Sequence, residues 1–161
     1  MESDLTFRYE PVPEDCAAVR AIVASTGFFN PAEIEIAVEL VEECLEFGEA
    51  SEYFFVFGER DGEVAGYTCY GPIDGTEGSF DLYWIAVDHG RRSQGLGRTL
   101  MRETEGIVRA AGGRRIYAET SGRAQYEPTR RFYERLGFSR ETQLRDFYAP
   151  GDDKVFYVKA L

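Results

Sequence analysis

The chain is short of the residues on which several familiar chemistries depend. It has one histidine, His89, three cysteines and one tryptophan in 161 residues. Cys16, Cys44 and Cys69 are odd in number, lie far apart and form no C-x-x-C. Zinc takes about four N, S or O ligands, so a Cys/His metal site is not expected. The expected state is three reduced, largely buried thiols in a cytoplasmic protein. Nucleophile systems built on Ser-His-Asp or Cys-His would all rest on His89, which sits in a Gly- and Arg-rich loop. The N-terminal segment MESDLTFRYE is acidic and has no apolar run, unlike a signal peptide. No stretch approaches the ~18 apolar residues of a membrane span. Pro- or Ser-rich linkers and internal repeats are also missing, so one domain over residues 1–161 is expected.

Lysine is scarce too: 16 of the 18 basic residues are arginine, leaving Lys154 and Lys159. The net charge is −11, which disfavours nucleic acid and anionic membranes as partners. That charge is unevenly placed: residues 1–87 carry −16, residues 88–145 carry +6 and residues 146–161 carry −1. Arginine suits planar, multidentate phosphate contacts, so the basic segment suggests a local anion site inside an acidic protein.

What is present reads as an α/β chain in the order βααβββαβαββ. Residues 5–10 alternate like a strand, and 14–26 read as a short helix. Asn30, Pro31 and Glu33 form a helix start with capping-box spacing. Ile34, Ala37, Val41, Cys44 and Leu45 follow at helical spacing up to Gly48. The other face carries Glu35, Glu39, Glu42, Glu43 and Glu46, either a solvated face or an acidic wall for a cationic substrate. Residues 53–58 and 63–70 are strands about an Asp61-Gly62 hairpin turn. A Gly-rich loop leads to the apolar strand 80–87. A helix follows Gly95 and Gly97 and ends at Gly112-Gly113. Then come a strand at 115–119, a helix from Pro128 to Leu136, and two strands near 138–147 and 154–159 about Pro150-Gly151.

The strongest local signal is Arg92-Ser93-Gln94-Gly95-Leu96-Gly97, directly after a buried strand and before an amphipathic helix. Glycines allow a tight turn and close approach to an anion. Helix N–H groups and the helix dipole favour that anion. Arg91, Arg92 and Arg98 add charge, and a pyrophosphate would suit. Leu100 stands where a Rossmann fingerprint has its third glycine, and the lysine of a Walker loop is missing. Taken alone, G-x-G also fits a plain strand–helix turn.

R-x-x-G-x-G after an apolar strand resembles the acetyl-CoA pyrophosphate loop of the GNAT acyltransferase superfamily. A second stretch, Thr129-Arg130-Arg131-Phe132-Tyr133-Glu134-Arg135-Leu136-Gly137-Phe138, resembles that family's A-x-x-F-Y-x-x-x-G-F signature. The element order is similar over nearly the whole chain. The resemblance implies a mixed, mostly antiparallel sheet, splayed between its fourth and fifth strands and flanked by about four helices. It implies acetyl-CoA as co-substrate, no metal, and direct transfer of the acetyl group to a primary amine.

Residue by residue, Ile85, Ala86 and Val87 match the strand end that binds the pantetheine arm and polarises the acetyl carbonyl. Arg92, Ser93, Gln94, Gly95, Leu96, Gly97 and Arg98 match the pyrophosphate loop. Tyr133 matches the tyrosine near the CoA sulfur, placed to protonate the departing thiolate. Asp81, eleven positions before Arg92, matches the place of a general-base glutamate in some members, and Glu119 is the rival. Where many members have an asparagine contacting the cofactor arm, this chain has Tyr126, which could instead line the acceptor pocket. Arg130, Arg131 and Arg135 are alternatives for the 3′-phosphate.

Acceptor specificity in the family comes mainly from the first two helices and adjacent loops. Here these include the acidic helix and aromatic Phe28, Phe29, Tyr53, Tyr67 and Tyr70. A small cationic amine is therefore the expected acceptor. A protein or peptide amine, or a non-catalytic acyl-CoA-binding domain, are the alternatives. The oligomeric state is open, with a homodimer one arrangement.

Overall fold

Asn30 starts the second helix as its residue type requires. Its side chain accepts a hydrogen bond from the Glu33 N–H at 2.8 Å, and the Glu33 carboxylate accepts from the Asn30 N–H at 3.0 Å. This reciprocal cap holds α2, Pro31–Phe47, and Gly48 stops it at φ 59°. In the computed structural model, which describes residues 4–161, the elements before it are β1 (Thr6–Arg8) and α1 (Asp15–Ser25). After it come β2 (Phe54–Arg60), β3 (Glu63–Pro72) and β4 (Ser79–Val87), then α3 (Leu96–Ala110) and β5 (Arg115–Ser121). The last elements are α4 (Glu127–Arg135), β6 (Ser139–Ala149) and β7 (Asp152–Ala160).

The seven strands form one sheet in the order β1-β2-β3-β4-β5-β7-β6. The β1–β2, β2–β3, β5–β7 and β6–β7 pairs are antiparallel. β4 and β5 run parallel, and they pair only through Ser79–Arg115, Phe80–Ile116 and Asp81–Tyr117. Such a short parallel junction is what the splayed-sheet expectation calls for. Asp61 and Gly62 turn β2 into β3 with φ of 54° and 76°, the left-handed pair of a tight hairpin.

The chain divides into two compact units. The first holds residues 4–71 and 82–107. Its core joins Val19, Ile22 and Val23 of α1 to Ala37, Val38 and Val41 of α2, over Phe55, Phe57, Tyr67 and Cys69 of the sheet. Tyr67 and Tyr70, expected from sequence beside the acceptor, are 1% and 6% exposed. Tyr67 stacks against Phe55 and Phe57, so core packing takes its ring. Its hydroxyl is buried with no hydrogen-bond partner among the described residues. All three cysteines are free, and burial pushes the Cys69 thiol well up.

The second unit holds Pro72–Asp81 and Val108–Leu161. One face of its β5–β7 ladder is apolar: Ile116, Ala118, Val155 and Tyr157 are buried, with Tyr133 of α4 packed on Tyr157. β6 departs from the usual half-buried pattern, since ten of its eleven residues are exposed. No helix among the described residues is long and apolar enough to cross a membrane.

Candidate active site

The end of β4 is held tightly against β3. A Cβ on Gly66 would stand 2.9 Å from the Ala86 carbonyl oxygen and 3.3 Å from the Val87 Cα, so only glycine admits this approach. Asp88 N–H then donates to the Ala65 carbonyl at 2.9 Å. These contacts fix the backbone of Ile85, Ala86 and Val87, of which Ala86 is buried and the other two half-buried.

One 3₁₀ turn, His89–Arg91, links β4 to the glycine loop. His89 is exposed, and its backbone N–H donates to Ser25 Oγ at 3.1 Å. Arg91 pairs with Glu63 at 3.2 Å. Gln94 accepts a hydrogen bond from Arg60 at 2.8 Å. Ser93 and Gly95 both adopt left-handed backbone, φ 67° and 75°. For serine this conformation is uncommon and costly, as at other ligand-binding turns. Thr99 N–H to the Gly95 carbonyl, 3.1 Å, opens the α3 ladder, so the N–H groups of Leu96, Gly97 and Arg98 precede it. Leu96 is 3% exposed and anchors the helix, leaving only its backbone for a ligand. Arg92 and Arg98 are exposed beside this helix start. The loop thus offers backbone donors, a helix dipole and two exposed guanidinium groups, a chemistry suited to a phosphate.

In the second unit, Pro128 lies in the first turn of α4 and Gly137, at φ 95°, follows its end. Tyr133 is 7% exposed. Its ring lies 5.7 Å from that of Tyr157 and 5.6 Å from that of Phe138. Burial, aided by the negative charge of Glu119, raises the Tyr133 pKa well above the usual phenol range. The phenol therefore keeps its proton at neutral pH, as an acid in the transfer must.

Tyr126 closes a 3₁₀ turn, Ala124–Tyr126, directly before α4 and is half-buried. Of the three arginine candidates, Arg130 is committed to the chain itself, donating to the Ser121 and Arg123 carbonyls at 2.8 Å each. Arg131 pairs with Glu127 at 2.7 Å, and both line an open depression with Pro128 and Arg135.

The two carboxylate candidates share one face of the sheet. Asp81 registers with Tyr117, and Glu119 lies two residues further along β5. Residues two apart on a strand point the same way. Asp81 is half-buried. Its pKa is raised by desolvation first and by Glu119 second, with Lys154 opposing. Glu119 is 49% exposed and accepts a hydrogen bond from Lys154 Nζ at 2.8 Å. Sequence reasoning missed Lys154. The signal was its rarity, one of two lysines among 18 basic residues. Among the described residues no group of three or more His, Cys, Asp or Glu could hold a metal ion.

A profile of the acetyltransferase (GNAT) family matches residues 18–138, well over half of the chain. N-alpha-acetyltransferase 30 of Schizosaccharomyces pombe is 28% identical over 108 residues, covering 66% of this chain and 71% of that protein. A crystal structure from Desulfovibrio desulfuricans, assigned to the GNAT family, is 52% identical. It has a TM-score of 0.93 and covers 98% of this chain and 99% of that one. A Salmonella typhimurium protein solved with its cofactor acetyl-CoA shares the fold at TM-score 0.71 and 22% identity, covering 99% and 95% of the two chains. With the family profile running from α1 to the residue after the glycine that follows α4, this chain belongs to the acetyltransferase (GNAT) family and is an acetyltransferase.

Proposed function

We propose that this acetyltransferase moves the acetyl group of acetyl-CoA directly to a primary amine, with Asp81 as base and Tyr133 as acid. The observation that carries the reading is the pair of shifted groups in the second unit: a half-buried carboxyl and a buried phenol, each displaced by burial and by Glu119. For Asp81 the shift runs toward neutral pH, as a base needs, and for Tyr133 it keeps the proton on the phenol until the sulfur departs.

The residues present fit acetyl-CoA as the donor. Ser93 and Gly95 shape the loop, its backbone N–H groups with Arg92 and Arg98 take the pyrophosphate, and Gln94 braces it through Arg60. The backbone of Ile85, Ala86 and Val87 holds the pantetheine arm and polarises the thioester carbonyl, where donors aimed at a developing oxyanion contribute most. Tyr126 lies along the arm or beside the acceptor. With Arg130 engaged by its own chain, Arg131 and Arg135 are left for the 3′-phosphate.

Asp81 takes a proton from the acceptor ammonium through a water, since its side chain is one methylene shorter than glutamate. The freed nitrogen attacks the thioester carbon and the C–S bond breaks. Tyr133 gives its proton to the departing sulfur. As the amide forms, the nitrogen's second proton passes to the Tyr133 oxygen, which restores the phenol.

The acidic face of α2 favours a small cationic acceptor: Glu35, Glu39, Glu42, Glu43 and Glu46 are all exposed there. A peptide amine is the second reading, favoured by the similarity to an N-alpha-acetyltransferase. A thiol-release screen over amines, amino acids, polyamines, aminoglycosides and peptides separates them. Turnover confined to neutral or acidic acceptors contradicts the cationic assignment. Acetyl-CoA binding with no thiol release across the panel contradicts catalysis itself.

A further inference from the structure

Lys154 holds a constructed position that the acetyl transfer described so far does not use. In the β5–β7 ladder, Glu119 lies opposite Phe156 and Ser121 opposite Lys154. Asp81, Tyr117, Glu119, Phe156 and Lys154 therefore share one sheet face. The Lys154 ammonium donates to Glu119 at 2.8 Å. It also lies 3.9 Å from the Phe147 ring centroid, 5.1 Å from that of Phe156 and 5.9 Å from that of Tyr148.

The side chain is 12% exposed, against 49% for its carboxylate partner. Removing a lysine from water is costly unless a charge partner and ring faces replace the solvent. The edge strand is shaped to supply those faces. β6 loses register with β7 between Leu144 and Ala149, and Asp146 turns there at φ 54°. Asp146 N–H donates to Asp153 at 2.9 Å, and Gly151 N–H donates to Asp146 at 2.8 Å. This pinned bulge sets Phe147 and Tyr148 against the ammonium.

We propose that Lys154 is a positioning residue for the transfer: its ammonium engages and neutralises Glu119, so that Asp81 is the carboxylate that takes the acceptor's proton. The proposal rests on the assignment of Asp81 as base. Two carboxylates on one face repel, and an uncompensated neighbour drives one of them to hold its proton. An Asp81 that stays protonated cannot act as a base. The groups about the carboxylates are Tyr117 of β5, Lys154 of β7 and Tyr133 of α4, with Tyr148 of β6 and Tyr157 of β7 around that phenol. A tyrosine hydroxyl carries no positive charge in either protonation state, so Lys154 supplies the compensation.

The test is the pH profile of kcat/KM in Lys154→Met, Lys154→Arg, Glu119→Gln and the Lys154→Met/Glu119→Gln double variant. Lys154→Met is expected to move the acidic limb up by about one pH unit with the acetyl-CoA KM unchanged. Lys154→Arg restores the limb, Glu119→Gln moves it down, and the double variant returns it to the wild-type position. A carbon-13 titration of the Asp81 carboxyl reads the same shifts without turnover. An unmoved Asp81 titration in Lys154→Met overturns the proposal, as does a double variant still displaced. If Lys154→Met does not fold, Lys154→Gln takes its place, with the same upward shift expected. Absence of acetyl transfer by wild type overturns the functional reading instead and leaves the titration result standing.

Discussion

The Tyr133 ring lies 5.7 Å from the Tyr157 ring, so the acid of the proposed reaction is fixed by packing onto β7. Phe138 holds it from another side at 5.6 Å. Tyr133→Phe keeps the ring packing and removes the hydroxyl that would give the proton. Turnover is expected to fall by about 10²-fold, within the usual range for a lost general acid, while the Kd for acetyl-CoA stays near the wild-type value. Steady-state kinetics with calorimetric binding checks both. Unchanged turnover contradicts the assignment of Tyr133.

Asp81→Asn should remove the acidic limb of kcat/KM and lower the plateau by about 10²-fold. It should also change stability with a defined sign. The Asp81 pKa is raised in the folded state by burial and by Glu119, so folding disfavours its ionised form. Below the unfolded carboxyl value, near pH 4, the variant and wild type should be equally stable at this site. As pH rises through the folded pKa, wild type loses stability that the variant keeps. A Tm series from pH 4 to pH 8 reads this as a growing advantage for Asp81→Asn.

Gly95 has φ 75° and open space where a Cβ would project. A β-branched residue there meets strain rather than a clash, about 1–2 kcal/mol for a left-handed L-residue. Gly95→Val should therefore distort the loop and weaken acetyl-CoA binding about tenfold with a modest fall in Tm. This is the opposite division from Tyr133→Phe, in which turnover falls and binding does not. Equal acetyl-CoA affinity in Gly95→Val and wild type contradicts a phosphate role for the loop.

Tyr67 carries a hydroxyl that is buried and has no hydrogen-bond partner among the described residues. Such a group costs about 1–3 kcal/mol of desolvation. Tyr67→Phe should be more stable than wild type by about 1 kcal/mol in urea unfolding. Loss of stability would show that the hydroxyl is satisfied in solution.

The sequence was most informative where the determinant is local. Asn30, Pro31, Glu33 and Gly48 bound α2 at the residues expected because caps act within one turn. Asp61-Gly62 marked the β2–β3 turn because the left-handed pair must fall on such residues. The glycine loop and the Tyr133 helix were legible as motifs for the same reason.

What escaped depends on register between distant segments. Lys154 meets Glu119 only because β7 runs antiparallel to β5 with Glu119 opposite Phe156. No spacing along the chain encodes that. The burial of Tyr67 and Tyr70 was hidden because the run EVAGYTCY is apolar on both faces, leaving no alternation to separate core from rim. The exposed β6 was hidden for a related reason: its pairing slips twice against β7, so its residues do not follow a simple inside–outside rule.

The most direct test of the account is an intact-mass measurement of the enzyme with acetyl-CoA, made with and without a responding amine, alongside free-thiol release. Direct transfer predicts an unmodified protein mass in both cases and thiol release only with the amine, in one-to-one ratio with acetylated product. A protein carrying one added acetyl group, formed without the amine and discharged when the amine is supplied, would contradict it.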